Sequence, residues 1–392
     1  MQDPVVIVAA KRTPIGAFQG QFAGVTAPQL GSAAVRGVFA SHPELMSAVD
    51  EAVFGCCLMA NLKQAPARQV VLGAGLPESV PCTTLTKMCG SAMKATMPVH
   101  DMLLAGSCKV GLAGGIESMT NAPYVLARGR DGYRLGHGQL FDHMFLDGLE
   151  DAYEGKLMGY YADHAAREAG ISRERQDTYA AESVRRAQQA VSSGAFRDEI
   201  APVTIAGRKG DVVVSDDETP GTCNIDKIPA LKPAFVKDGT VTPANASSIS
   251  DGGAAILLMR ESEAARRGLQ PLARIVSHAT HAQKPSLFAT APAPAIRQVV
   301  AKAGWTMSDV DLFEINEAFA VVTLLAMDEL GLSHDVVNVN GGACAMGHPI
   351  GATGARIIVT LLHALRRRGL KRGVASLCIG GGEATATAIE IL

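Results

Sequence analysis

The sequence is poor in charged residues. Asp, Glu, Lys and Arg make up 19% of its 392 residues, and 47% are hydrophobic; a typical soluble domain is about one quarter charged. The formal net charge is −2, and no basic stripe with interleaved aromatic residues appears, which argues against a nucleic-acid partner. The most basic run, 366–372, is interpreted as the solvated end of a helix. Because so little surface is charged, we expect subunit-facing surface and hence an oligomer.

Long hydrophobic runs and ordered cysteine patterns are also missing. The longest apolar run, Ala318 to Met327, is too short to span a bilayer. The chain begins with a predicted strand, Pro4 to Ala10, and not with a targeting segment. Its eight cysteines form no C-x-x-C pair, so neither a zinc framework nor a disulfide scaffold is indicated. We therefore predict a cytoplasmic protein with no membrane partner and no metal.

Glycine, in contrast, is abundant and clustered near the end of the chain. His348 lies in G-G-A-C-A-M-G-H-P-I-G-A-T-G-A-R, and Cys378 begins the segment C-I-G-G-G-E. Glycine lets backbone approach backbone or a ligand at angles that other residues resist. Reactive side chains at this glycine density indicate a binding or catalytic site.

At 392 residues the chain is long enough for at least two domains, and two of its regions follow the same pattern. In the first, the strand Thr83 to Met88 leads to Cys89, a helix to about Leu104, a strand from Lys109 to Ala113 and a Gly-Gly-Ile-Glu turn. In the second, the strand Val336 to Asn340 leads to His348, an amphipathic helix from Gly351 to Arg368, the strand Val374 to Ile379 and a Gly-Gly-Gly-Glu turn. The repeated order predicts a duplicated α/β unit.

A segment of different composition separates the two units. Residues 121–245 are richer in charge, Pro and Gly, and they contain a predicted helix from Arg173 to Ser192. We interpret them as an inserted domain. The predicted boundaries are 1–120 for an N-terminal core domain, completed by about 246–272, and 273–392 for a C-terminal core domain. Pro98 should kink the first repeat's helix or end it early.

Four residues are candidates for chemistry. Cys89 is placed at a strand-to-helix junction, where the helix N-terminus should lower the pKa of its thiol, although a buried structural cysteine is the commoner case. His348 could instead be a core histidine. Asn316, in E-I-N-E-A-F-A, could simply cap the next helix. For Cys378, no packing requirement explains three following glycines.

Together, Cys89, Asn316, His348 and Cys378 with their surrounding residues closely resemble the thiolase family. The opening A-A-K-R-T-P-I-G, the A-G-G-I-E-S-M-T segment and K-P-A-F…N-A-S extend the resemblance over the whole chain. It implies an α/β fold in which duplicated core domains form a five-layer αβαβα sandwich with an inserted loop domain. It also implies a coenzyme A thioester substrate, coenzyme A itself being substrate and product with no other cofactor, and a homotetramer built from dimers.

The resemblance also assigns roles. Cys89 would be the acylated nucleophile, His348 the base that activates it, and Cys378 the base for condensation and the acid for cleavage. One oxyanion hole would comprise His348 and a water held by Asn316, the other the backbone N–H groups of Cys89 and Gly380. The expected contacts to coenzyme A and the acyl group are Phe235, Ala244, Ser247, Met158, Phe288, Ala318 and Phe319. Ser247 would donate to the pantetheine amides.

Departures from the family pattern occur around Pro220, Leu157 and Phe288. The first two affect the predicted coenzyme A contacts, and the third affects acyl-chain selectivity. Several short segments, including M-T-N-A-P-Y and R-L-G-H-G, resemble the branch that transfers acetyl groups between short chains. We therefore favour synthesis of acetoacetyl-CoA from two acetyl-CoA molecules over degradation of longer 3-oxoacyl-CoA.

Other classes of protein fit less well. The glycines after Cys378 lie too near the chain end for a dinucleotide site, and a ketoacyl condensing enzyme would use one Cys and two His. A non-catalytic thiolase-like protein that binds acyl-CoA or lipid should lack one of the four residues. His278 and His281 suggest a metal site, but no third ligand is evident.

Overall fold

The computed structural model describes residues 3–208 and 210–392. Within them, the strands are β1 (Val5–Arg12), β2 (Gly16–Ala17), β3 (Glu51–Gly55), β4 (Cys82–Leu85), β5 (Val110–Ser118), β6 (Tyr124–Leu126), β7 (Leu140–Asp142), β8 (Val203–Ile205), β9 (Val212–Val214), β10 (Ser250–Arg260), β11 (Ala273–Ala282), β12 (Leu312–Ile315), β13 (Arg372–Ile379) and β14 (Glu383–Ile391). The α-helices are α1 (Ala27–Val38), α2 (Pro66–Ala74), α3 (Ser91–Ala105), α4 (Met158–Glu168), α5 (Arg173–Ser192), α6 (Glu261–Arg266), α7 (Pro292–Lys302), α8 (Ala320–Leu330), α9 (Ala343–Met346) and α10 (Thr353–Arg368).

The strand order shows an internal symmetry. Hydrogen-bonded neighbours run β12-β13-β14-β11-β1-β10-β5-β3-β4. The β4-β3-β5-β10-β1 half and the β12-β13-β14-β11 half join where β1 pairs antiparallel with β11, over Val6–Arg274 and Ile7–Ala273. In each half, parallel strands lie on the outside and antiparallel strands at the junction. This arrangement is the duplicated α/β unit predicted from the sequence.

The helices complete five layers. Helices α1 and α2 pack on the outer face of the first half, and α7 and α8 pack on the outer face of the second. Helices α3 and α10 pack against each other and against strands of both halves. Because the sheets are covered on both faces, their strands are almost continuously buried, as in β10, where ten of eleven residues are inaccessible. The predicted αβαβα sandwich is confirmed.

Two local predictions about the repeats are wrong. Gly114 to Glu117 form no turn, because they continue β5, where β10 pairs with every residue from Val110 to Ser118. Residues 336–340 form no strand, and Val337 makes a single parallel bridge to Phe313. The turn at 380–382 is present and joins β13 to β14.

Pro98 does not end α3 early, since the helix continues through it to Ala105. Pro98 lies among buried neighbours, Met97 and Val99, so tertiary packing outweighs the one backbone hydrogen bond that proline removes. The basic run behaves as predicted: α10 ends at Arg368, and residues 366–368 are exposed.

The segment between β5 and β10 lies outside the central sheet and carries α4, α5 and two short hairpins. Helix α5 spans Arg173–Ser192, as predicted. Among the described residues, no helix has the length and apolar character needed to cross a membrane.

Candidate active site

Cys89 lies in a tight turn between β4 and α3. Met88, immediately before it, has a φ of 45°, a conformation that is strained for a residue with a side chain. Ser91 holds the turn, because its Oγ donates to the Met88 carbonyl at 2.7 Å and accepts from the Lys87 N–H at 2.7 Å. The Gly90 N–H also donates to the Lys87 carbonyl, at 3.0 Å. A strained backbone held this firmly fixes the position of the Cys89 sulfur.

The expected lowering of the Cys89 pKa is wrong for the resting protein. Burial raises the pKa of the Cys89 thiol to about 11, against the opposing effect of the backbone N–H groups of Gly380 and Cys89 itself. Desolvation therefore outweighs the helix N-terminus. Cys89 rests as a thiol and needs a base before it can act as a nucleophile.

His348 is a suitable base because its surroundings fix its tautomer. Its Nδ1 lies 2.7 Å from the Thr353 hydroxyl, and that hydroxyl donates its one proton to the Pro349 carbonyl at 2.9 Å. The hydroxyl must then accept from Nδ1–H, which leaves the lone pair on Nε2. Burial, and then the charge of Arg356, lower the pKa of His348 to about 3, so the ring is neutral at physiological pH.

Asn316 lies directly beside His348. It follows β12, where its backbone N–H donates to the Ser376 carbonyl at 2.9 Å. Its Nδ2 lies 3.5 Å from His348 Nε2. The alternative of a helix cap does not apply, because α8 begins at Ala320 with Phe319 as its N-cap residue.

Cys378 and Gly380 reach the same place from the end of β13. Cys378 is 1% exposed, and burial and then the nearby Cys89 raise the pKa of its thiol. The turn that follows needs glycine, since Gly381 and Gly382 have φ values of 95° and 84°. It directs the Gly380 N–H toward the Cys89 side chain. Cys89, Cys378 and Gly380 therefore share one site.

Close contact between α3 and α10 brings the His348 loop to that site. A Cβ on Gly354 would lie 2.3 Å from the Met93 backbone nitrogen, and one on Gly115 would lie 2.2 Å from the Gly351 carbonyl oxygen. Glycine at these positions lets the two helices begin side by side. The segments before them, which carry Cys89 and His348, are therefore brought toward each other.

Two buried carboxylates that the sequence analysis missed support the loops around the site. Glu117 accepts from the backbone N–H groups of Cys57 at 3.1 Å, Leu58 at 3.2 Å and Gly351 at 2.9 Å. Glu317, next to Asn316, accepts from the side chains of Tyr179, Ser183 and Asn338 and from the Cys344 N–H. A fully buried carboxylate needs such partners, and acidic residues inside apolar segments were the available signal.

The predicted substrate contacts lie together, next to the candidate catalytic residues. The Phe319 ring packs edge-on against Phe235 and Phe288, at centroid distances of 6.0 and 6.2 Å. Ala246 forms a bridge to Phe319, which places the segment with Ala244 and Ser247 beside Ala318. Met158 Sδ lies 3.8 Å from the position of a Cβ on Gly380.

Ser247 differs from its predicted role. Its hydroxyl donates to the Ala318 carbonyl at 3.0 Å, so the proton expected to serve the pantetheine amides is already used. The oxygen can still accept a hydrogen bond from a pantetheine N–H.

The two histidines considered as metal ligands do not meet. His278 and His281 are three residues apart in β11, so their side chains leave opposite faces of the strand. His281 contacts Gln283, whereas His278 Nε2 lies 3.0 Å from Asp101 Oδ1, which also lies 2.9 Å from His100 Nδ1. Three side chains suited to a metal, two imidazoles and one carboxylate, thus converge. Hydrogen bonds from both imidazoles to Asp101 account for the arrangement, and the Lys302 ammonium binds the His278 carbonyl at 3.1 Å.

The fold and site define a class of protein. Residues 5–262 match the N-terminal domain of thiolases, and residues 269–391 match their C-terminal domain. The chain belongs to the thiolase family.

Relatives that align over their full length with this chain are named acetyl-CoA acetyltransferases. An acetyl-CoA acetyltransferase of Chromobacterium violaceum is 46% identical over 388 residues, covering 98% of this chain and 99% of the relative. A cytosolic acetyl-CoA acetyltransferase of Mus musculus is also 46% identical, covering 99% and 98%. The crystal structure of the Bacillus anthracis acetyl-CoA acetyltransferase superposes with a TM-score of 0.97 at 43% identity, covering 100% of this chain and 99% of that one.

Proposed function

We propose that this protein is an acetyl-CoA C-acetyltransferase that reversibly condenses two acetyl-CoA molecules to acetoacetyl-CoA and coenzyme A. The observation that carries the proposal is the convergence of the Cys89 sulfur, the Gly380 N–H and the Cys378 sulfur. The contact between α3 and α10 brings the loop with the neutral His348 toward them. Acyl transfer followed by carbon–carbon bond formation needs one nucleophile and a separate base, and both are present. The names of the full-length relatives agree with this activity.

In the first half-reaction, His348 Nε2 takes the proton of Cys89, and the thiolate attacks the thioester carbonyl. The carbon–sulfur bond to coenzyme A breaks, and the departing thiolate takes the proton of Cys378. Burial suits Cys378 to this step, because the raised pKa keeps its proton in place until then. The products are acetyl-Cys89, free coenzyme A, a Cys378 thiolate and a His348 imidazolium.

In the second half-reaction, the Cys378 thiolate removes a proton from the α-carbon of a second acetyl-CoA. The enolate oxygen is stabilised by the His348 imidazolium and a water held by Asn316. The enolate attacks the acetyl carbonyl, whose oxygen faces the N–H groups of Cys89 and Gly380. Cys89 then leaves as a thiolate and regains its proton from His348, so all groups return to their starting forms.

Burial of Phe288 favours a short acyl substrate. The side chain is 2% exposed and packs on Phe319, and we propose that these rings close the end of the acyl pocket. A degradative enzyme with a broad chain-length range would need this end open. Thiolysis assays with C4 and C10 3-oxoacyl-CoA distinguish the two functions, since comparable kcat/KM values would favour the degradative one.

The central test is mass spectrometry of the protein after incubation with acetyl-CoA. We expect an acetyl group on the peptide that contains Cys89. The C378A variant should carry the same group, although it forms more slowly, because coenzyme A can leave as a thiolate without the proton that Cys378 supplies. An acetyl group found elsewhere and not on Cys89 would contradict the mechanism.

We also propose a homotetramer located in the cytoplasm, with acyl-CoA as partner and no cofactor beyond it. The hairpin of β6 and β7 exposes Tyr124, Leu126 and Leu140, and Leu135 at its tip is 98% exposed; such patches are typical of subunit contacts. Strand β4 lies at one edge of the sheet. The backbone N–H and C=O groups along a sheet edge can pair with another chain. All eight cysteines are free thiols, as a reducing compartment allows. Sedimentation equilibrium measures the assembly.

A further inference from the structure

Arg356 is a buried charge that the mechanism above does not use. It lies in α10, is 2% exposed, and donates from Nη1 to Glu314 Oε1 at 3.0 Å. Its Nη2 donates to Asn316 Oδ1 at 3.4 Å, and its Nε has no hydrogen-bond partner among the described residues. Burial lowers the pKa of this guanidinium. An apolar side chain of similar volume would avoid the cost of desolvating it, so packing alone does not account for an arginine here.

The contact with Asn316 determines which way that amide points. An asparagine side chain has an oxygen that accepts and a nitrogen that donates, and the two ends are nearly the same shape. A guanidinium has no acceptor, so Arg356 can bind only the oxygen. The Nδ2 donor must then face His348 Nε2, 3.5 Å away.

We propose that Arg356 is a positioning residue for the condensation step: it locks the Asn316 amide with its N–H₂ group toward the oxyanion hole that Asn316 shares with His348. This proposal rests on the proposed function. Glu314 anchors the guanidinium from the other side, and the charge of Arg356 helps to keep His348 neutral. A flipped amide would place its oxygen next to His348 Nε2, where it would accept the imidazolium N–H that stabilises the enolate oxygen.

The proposal predicts a selective defect. In the variant R356K the charge remains, but a single ammonium cannot bridge Glu314 and Asn316 as a planar guanidinium does. We expect acetoacetyl-CoA formation to fall about 10- to 100-fold in kcat, less than the roughly 10²- to 10³-fold that follows when an oxyanion donor is removed outright. Exchange of labelled coenzyme A into acetyl-CoA needs only the first half-reaction, and it should change less than about threefold.

A double-mutant cycle separates positioning from general support of the fold. If Arg356 acts through Asn316, R356K should have almost no further effect on condensation in an N316A background. A structural role would reduce the rate by the same factor in both backgrounds, and that result would overturn the proposal. Equal losses in condensation and exchange would also overturn it.

Arg12 provides a matched control. It is likewise buried and binds Glu199 and Asp217 at 2.5 and 2.7 Å. Its charge also acts on Arg356, but among the described residues it has no hydrogen bond to Asn316. The R12K variant reports what weakening a buried arginine pair does to folding and should leave the ratio of condensation to exchange unchanged.

If R356K does not fold, the variant E314A takes its place, because it removes the anchor of the guanidinium. We expect E314A to show the same selective loss of condensation, and to have almost no further effect on condensation in the N316A background. A wild-type protein that shows no exchange would refute the proposed function instead.

Discussion

The two halves of this protein share one topology but use the same motif differently. In the first half, Gly114-Gly115-Ile116-Glu117 continues straight along β5, and the buried Glu117 binds three backbone N–H groups. In the second half, Gly380-Gly381-Gly382-Glu383 forms a turn, and the half-exposed Glu383 pairs with Lys87 of the first half. The first motif therefore supports loops, and the second directs the Gly380 N–H toward Cys89.

The difference shows how a duplicated scaffold acquires a single site. Each half contributes a helix to the central layer, and these helices, α3 and α10, begin side by side. Reactive side chains placed shortly before each helix are therefore brought toward the same region. In the proposed mechanism, the first half contributes the nucleophile and the second contributes both bases, so neither half would be sufficient alone.

The largest expected effects come from replacing, one at a time, the cysteine that each half contributes to the site, Cys89 or Cys378. We expect C89A to lose acetyl transfer and condensation together, by at least about 10⁴-fold in kcat. C378A should lose condensation by about 10³-fold, the range of a general base, while coenzyme A exchange falls much less. Rates of exchange and condensation measured on both variants provide the check. Equal loss of exchange in the two variants would contradict the division of roles between the halves.

The glycines of the two motifs should differ in the stability that they support. Alanine at Gly115 would place its Cβ 2.2 Å from the Gly351 carbonyl oxygen, a backbone atom that cannot easily move. We expect G115A to destabilise the fold by about 3 kcal/mol. The equivalent Gly381 has open space around it and a φ of 95°, so G381A should cost about 1 kcal/mol from backbone strain alone. Urea unfolding of both variants measures the gap, and a larger loss in G381A would refute this reading of the two motifs.

Residues with a local signal were predictable from the sequence, and those defined by long-range burial were not. Cys89, His348, Asn316 and Cys378 stand next to glycines or at element ends, so local sequence identified them as candidates. Whether Gly114 to Glu117 turn or continue depends on pairing with β10, more than 130 residues later in the chain. The raised pKa of Cys89 and the partners of Arg356 and Glu117 likewise depend on burial that no local pattern records.

The contribution of Glu117 to stability should depend on pH, and this dependence distinguishes it from Glu383. Burial raises the pKa of Glu117 to about 7, against the opposing effect of its backbone donors. Folding therefore favours the protonated acid, and the stability it contributes is present below about pH 4.5 and is lost as the pH rises to about 7. The loss amounts to roughly 3 kcal/mol. E117Q cannot titrate, so its deficit relative to the wild type should shrink over this range, as urea unfolding between pH 5 and 8 would show. A constant deficit would mean that Glu117 is ionised throughout.

The smallest effect is expected at the matching position of the second half. Glu383 and Lys87 keep 33% and 18% of their side chains exposed, and pairs accessible to water typically contribute less than about 1 kcal/mol. E383Q should therefore cost under about 1 kcal/mol in urea unfolding. Salt screens accessible charges, so the E383Q deficit should disappear in about 1 M NaCl while that of E117Q persists. A large, salt-insensitive loss in E383Q would mean that both glutamates hold loops in the same way, and the contrast between the halves would fail.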